Sequence, residues 1–98
     1  MSYKLEIAGQ AARCIEQLAP EPRARLKRSL KNLQSDKGDI SSLETPLNGY
    51  CRLKVGKYRI IFRYGKDLTI HALFAQERRL VYEAFQEEFS RKLVSRNP

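Results

Sequence analysis

No stretch of this 98-residue chain approaches the ~20 consecutive apolar residues that a bilayer-spanning helix needs, which excludes a helical membrane anchor. Histidine occurs once and cysteine twice, in no clustered Cys/His pattern, so a zinc site is not expected. Cys14 and Cys51 lie far apart and match no metal spacing, and a disulfide framework ordinarily carries more cysteines. They read as two small buried thiols in a reducing compartment. No low-complexity segment or internal repeat interrupts the chain, and aliphatic and aromatic residues recur from Leu5 to Leu93, which argues against disorder. Glu6 falls where a signal peptide would continue its apolar core, so a cytoplasmic protein is expected.

Acid is the scarcest chemical class relative to its opposite. Eleven Asp and Glu stand against nineteen Lys and Arg, a net charge of +8. Between Thr45 and Lys66 there is no acid at all, while Arg52, Lys54, Lys57, Arg59, Arg63 and Lys66 are all there. Surplus positive charge attracts polyanions: nucleic acid, ribosome, an anionic surface or an acidic protein. The length fits one domain over residues 1–98, with a modest core and a shallow site, and residues 94–98 read as a frayed tail.

Periodicity then supplies the elements. Tyr3, Leu5 and Ile7 alternate with Lys4 and Glu6 as in a half-buried strand, and Gly9 ends it. Ala11, Ala12, Ile15 and Leu18 recur at helical spacing up to Pro20. A second helix from about Pro22 puts Leu26, Leu30 and Leu33 on one face. Residues 36–48, rich in Gly, Ser, Pro and Asp, read as a loop. The run from Arg52 to Tyr64 reads as a hairpin about Gly56 and Lys57, with Gly56 supplying the positive φ of a type II′ turn. After a turn at residues 65–67, Leu68 to Phe74 makes a third strand of the meander. Val81, Phe85, Phe89 and Leu93 recur every four residues as a C-terminal amphipathic helix, with Glu83, Glu87 and Glu88 on its solvated side. The order β-α-α-β-β-β-α predicts an α+β domain, with helices packed on one face of an antiparallel sheet.

With a two-residue turn, Lys54 faces Arg59, Arg52 faces Ile61 and Tyr50 faces Arg63. Arg52, Lys54, Arg59 and Arg63 then share one face, while Cys51, Leu53, Val55, Tyr58, Ile60 and Phe62 form an apolar strip on the other. Like charges placed directly opposite cost up to roughly 1 kcal/mol, which a bound phosphate would relieve. A solvated basic face, common on antiparallel sheets, stands as the alternative. A second constellation, Arg78, Arg79 and Tyr82, puts arginine and tyrosine four apart, able to hold a phosphate and stack on a nucleotide. Tyr82 as an aromatic at the edge of the core is the alternative there. His71, alone within its strand, reads as structural rather than as a proton-transfer group.

Three segments together resemble the RelE/ParE superfamily of bacterial toxin–antitoxin toxins. They are Leu47 to Tyr50 (Leu-Asn-Gly-Tyr), Arg52 to Phe62 (Arg-Leu-Lys-Val-Gly-Lys-Tyr-Arg-Ile-Ile-Phe) and Arg78 to Tyr82 (Arg-Arg-Leu-Val-Tyr). The resemblance covers about residues 3–90 and implies a small RelE-like α+β fold. It implies one of two activities: ribosome-dependent, metal-independent mRNA endonuclease, or ParE-like poison of DNA gyrase. For the nuclease branch, Arg52 falls on the first position of a lysine pair, Lys54 on the second, Arg59 on an arginine after the turn, and Tyr82 on a tyrosine near the C-terminus. These are the expected catalytic residues, with Arg63, Lys57, Arg78 and Arg79 as nucleic-acid contacts. Arginine stays protonated, so Arg52 cannot serve as a base. A further family arginine falls on Gln76 by direct counting, and Glu44 does not fall at the offset of a carboxylate base. No metal and no small-molecule cofactor is implied. The implied partners are ribosome, mRNA and a cognate acidic antitoxin, for which Leu26, Leu30 and the Val81–Leu93 face are expected to provide apolar grooves. A basic RNA- or protein-binding module without toxicity is a third reading.

Overall fold

The computed structural model describes residues 2–77 and Phe85. Strand β1 (Lys4–Ile7) leads into helix α1 (Gly9–Gln17) and helix α2 (Pro20–Leu33). Four further strands follow: β2 (Asp39–Ser42), β3 (Cys51–Val55), β4 (Tyr58–Gly65) and β5 (Thr69–Glu77). They form one five-stranded sheet in the order β1-β5-β4-β3-β2. The α+β class and the helical pair are as expected. The sheet is mixed rather than wholly antiparallel, because β1 pairs parallel with β5, Lys4 with Thr69 through Ile7 with Ala72. The predicted C-terminal helix, apart from Phe85, and the predicted tail lie outside the described residues.

Local chemistry accounts for the helical boundaries. Pro20 and Pro22 occupy the first turn of α2, where a missing N–H costs nothing, so Pro20 opens α2, two residues earlier than its pattern suggested. Leu26, Leu30 and Leu33 sit at i, i+4 and i+7 and are fully buried against the sheet. They are core residues, and the expectation that Leu26 and Leu30 offer a partner an open groove is overturned by that burial. The end of α2 is tied to the start of the chain: Tyr3 N donates to Gln34 O at 2.8 Å, and Gln34 Nε2 donates to Tyr3 O at 2.9 Å.

The segment expected as a continuous loop over residues 36–48 contains β2, which pairs antiparallel with β3. Its sequence, Asp-Ile-Ser-Ser, has poor strand propensity, and only Ile40 packs on the main core. It is an edge strand held by its neighbour's ladder. The hairpin of β3 and β4 has the predicted register, with Val55 opposite Tyr58, Lys54 opposite Arg59 and Arg52 opposite Ile61. Gly56 takes φ of 58°, the left-handed value a type II′ turn requires at its first central position. Asp67 and Leu68 both have positive φ, so Leu68 belongs to the turn, and β5 runs from Thr69 to Glu77.

Two apolar clusters lie on opposite sides of the sheet. The larger joins Ala11, Ile15 and the α2 leucines to Leu53, Val55, Ile60, Phe62, Ile70, Ala72 and Ala75. The smaller, on the face predicted to be polar, joins Leu47, Ile61, Phe74 and Phe85, with Leu43, Tyr50 and Leu73 at its edge. Phe85 thus packs on the face opposite α1 and α2, which corrects the picture of all helical residues on one side. Burial from both sides explains why Ile60, Ile61 and Phe62 run consecutively instead of alternating with polar residues.

One irregularity sets the parity of β5. Ile61 pairs with Phe74, but the next residue, Phe62, pairs with Ala72, leaving Leu73 as the extra residue of a β-bulge. Without it, alternation would send His71 to the helix side and Ala72 to the other. With it, Ile70 and Ala72 enter the main core, and His71 faces Arg63.

Candidate functional site

The side of the sheet away from the helices is organised in rows across the strands. The row nearest the hairpin turn reads Asp39, Lys54, Arg59, Gln76. The like-charge juxtaposition of Lys54 and Arg59 is present, and Asp39 directly opposite Lys54 offsets part of its cost. Lys54 is exposed and, among the described residues, has no hydrogen-bond or ion-pair partner. Arg59 is only 6% exposed. Its Nη1 donates to the carbonyls of Gly56 at 2.8 Å and Tyr58 at 2.9 Å, folding the guanidinium onto the turn. That fixes the orientation of the planar fork and spends one of its nitrogens on the backbone. Gln76, where the family pattern has arginine, is the neighbour of Arg59 in the row.

The next row reads Ser41, Arg52, Ile61, Phe74. Arg52 shares the face of Lys54 but leans outward toward β2. Its Nη2 donates to Ser41 Oγ at 2.8 Å and lies 3.6 Å from Asp39 Oδ1, while Nε is buried without a partner. Ile61 and Phe74 belong to the smaller apolar cluster, where the Phe85 ring meets Tyr50 edge-on at 5.1 Å between centroids and Phe74 at 5.8 Å. This island separates Arg63 from Lys54 and Arg59. The four cations therefore share a face, as their register dictated, without forming one continuous patch.

Lys57 sits at the hairpin tip and turns toward the helix side. Its Nζ lies 3.5 Å from Glu77 Oε1 and 5.4 Å from the Tyr58 ring centre. There it borders a shallow pocket of about 210 Å³ with Glu21, Pro22, Arg25, Leu26 and Tyr58. It does not join Lys54. Tyr82, Arg78 and Arg79 lie outside the described residues. Among the described residues no three His, Cys, Asp or Glu side chains converge as a metal site would need. No described helix is long and apolar enough to cross a membrane.

Among the described residues, three titrating groups are perturbed. Burial pushes both thiols, Cys14 and Cys51, above their ordinary range, with a hydrogen bond from Ser42 partly opposing this at Cys51. Burial and then the hydrogen bond from Tyr64 Oη to Asp36 Oδ1, 2.8 Å, push the Tyr64 phenol up as well. None of these groups stands among the expected site residues. Sequence reasoning missed the anchoring of Arg52 by Ser41 and Asp39, because β2 was invisible. It missed the island as well, although two adjacent isoleucines in one strand were a usable sign of burial on both faces.

The mixed five-stranded sheet in the order 1-5-4-3-2, with the two described helices on one side, is the RelE-like fold that this chain shares with solved structures of toxin–antitoxin complexes. Among solved structures, the toxin–antitoxin complex RelBE2 from Mycobacterium tuberculosis superposes with a TM-score of 0.72, at 21% identity, over 80% of this chain and 100% of that one. The RelB–RelE antitoxin–toxin complex from Methanococcus jannaschii gives 0.63, at 24% identity, over 81% and 96%. YafQ from E. coli strain BL21(DE3) gives 0.54, at 15% identity, over 79% and 94%. No protein-family model matches the chain, and no curated protein does.

Proposed function

We propose that this chain is the toxin of a type II toxin–antitoxin system, acting in the cytoplasm as a ribosome-dependent, metal-independent mRNA endonuclease. The observation that carries the reading is the pairing of an exposed Lys54, unpartnered among the described residues, with an Arg59 whose guanidinium is pre-oriented by the hairpin turn. In the reaction the 2′-oxygen attacks the adjacent 3′-phosphorus, the bond to the 5′-oxygen breaks, and charge grows on the non-bridging oxygens. Cations held in place beforehand stabilise that charge without reorganising. Arg59 meets the phosphate with the part of its fork not used by the turn. Lys54 stabilises or accepts charge as the 2′-OH is activated, and Arg52, steadied by Ser41 and Asp39, adds field strength. Tyr82 orients the nucleotide or assists proton transfer, and Arg78 and Arg79 contact the strand. The partner is an acidic, partly disordered antitoxin drawn to the +8 chain, a reading supported by the likeness to two toxin–antitoxin complexes.

The test is cleavage of a defined mRNA on programmed ribosomes by wild type, Lys54→Ala, Arg59→Ala and Tyr82→Ala. Each variant is expected to lose about 10²-fold or more in rate while remaining folded by circular dichroism. Undiminished cutting by Lys54→Ala overturns its role. A second reading, the gyrase poison, is favoured by Gln76 standing beside Arg59 where the nuclease pattern has arginine. Absence of cuts with persistent growth arrest on induction would select it.

A further inference from the structure

Beyond the apolar island, the same sheet face has a second polar end that the candidate chemistry does not use. There β4, β5 and β1 bring Arg63, His71 and Glu6 into one row. His71 Nδ1 lies 3.1 Å from Glu6 Oε2, so the carboxylate fixes the ring and leaves Nε2 as the nitrogen free to meet a ligand. Arg63 is exposed and has no hydrogen-bond or ion-pair partner among the described residues. Lys4, two residues before Glu6 on the same side of β1, is exposed nearby.

Two features of the backbone bear on this arrangement. The Leu73 bulge is what brings His71 to this face. Gly65 needs no left-handed φ; what it lacks is a Cβ, which would stand 2.5 Å from His71 Nε2 and 3.3 Å from Arg63 Nη1. Its bare backbone therefore lets two nitrogen donors approach the same point.

We propose that Arg63 and His71, with Glu6 behind the imidazole, form a second phosphate-binding subsite that holds the backbone of an RNA strand. The inference rests on the reading of the chain as an RNA-cleaving protein. Arginine offers a planar fork to a phosphodiester, and the imidazole, held by a carboxylate at Nδ1, presents Nε2 to the same group. Four residues of β4 separate Arg63 from Arg59, about 13 Å at strand rise, so the subsite engages a different phosphate from the one that is cut. Its task is to position the strand, and its residues touch no reacting atom.

Because His71 is the sole histidine, its ring nitrogens are a self-assigned reporter in a ¹⁵N-labelled full-length chain. The probes are a short, uncleavable 2′-O-methyl RNA oligonucleotide and a polyglutamate peptide. The expected result is a saturable change in the His71 Nε2 resonance with RNA but not with polyglutamate. Arg63→Ala is expected to weaken RNA binding by about tenfold, and Gly65→Ala to abolish the His71 response. No His71 response up to millimolar oligonucleotide, or unaltered affinity in Arg63→Ala, overturns the subsite. An equal response to polyglutamate also overturns it and makes the cluster a contact for an acidic protein. Ribosomal cleavage by the same preparations separates the two readings: cutting that depends on Lys54 but not on Arg63 retains the nuclease and removes the subsite.

Discussion

The two faces of this sheet are built on opposite rules. On the helix side, twelve buried residues from α1, α2, β3, β4 and β5 form one continuous apolar cluster. On the other side, a small island around Ile61 and Phe74 stands between two charged ends, with Lys54 and Arg59 at one and Arg63 and His71 at the other. The first face contributes stability in proportion to the area it hides. The second keeps Lys54 and Arg63 exposed to solvent and, among the described residues, without an ion-pair partner, so it adds little to stability. Substitutions on the two faces should therefore move stability and function separately.

The largest expected effect on stability is at Phe62, fully buried in the helix-side cluster. Phe62→Ala should cost about 3–5 kcal/mol in urea unfolding, a large fraction of a small domain's total. Ile61, one residue away but facing the island, should cost about 2–3 kcal/mol when cut to alanine. Equal costs at the two positions would erase the distinction between core and island. Arg52→Ala breaks the Ser41 hydrogen bond and a partly exposed ion pair, so about 1 kcal/mol is expected, with faster amide exchange confined to β2. Tyr64 supplies a pH-dependent term. Its phenol is held above the ordinary value in the fold, so that contribution is present below about pH 10 and is lost as pH rises further. Melting temperature should decline through that range less steeply in Tyr64→Phe than in wild type. The smallest stability change belongs to Lys54→Ala, within about 0.5 kcal/mol by the same unfolding assay, although it removes an exposed cation central to the proposed chemistry. A larger loss there would mean that the basic face is structural after all.

What could be read from residue order alone follows the range of the interactions involved. The hairpin register was legible because Gly56-Lys57 is a local turn signal and every pairing up to Cys51–Phe62 follows from it. The helices were legible from leucine spacing. The strand β2 was not, since Asp39, Ser41 and Ser42 are poor strand formers held there by pairing with β3. The parallel pairing of β1 with β5 joins residues some 65 apart, and nothing local to Lys4–Ile7 encodes it. Of the candidate site, the common face of Arg52, Lys54, Arg59 and Arg63 was legible. Its division by the island was not, because Leu47 and Phe85 reach it from distant parts of the chain.

The extra residue in β5 bears on how this chain should be compared with others. Leu73 acts as a half-twist in a two-coloured ribbon: odd positions before it and even positions after it show the same colour. An alignment that counts straight across it assigns inside to outside over half the strand. A relative one residue shorter there would align well by eye while exchanging a core alanine for a surface histidine. Deleting Leu73 would do the same in a single protein, turning Thr69 and His71 toward the helices and Ile70 and Ala72 toward water.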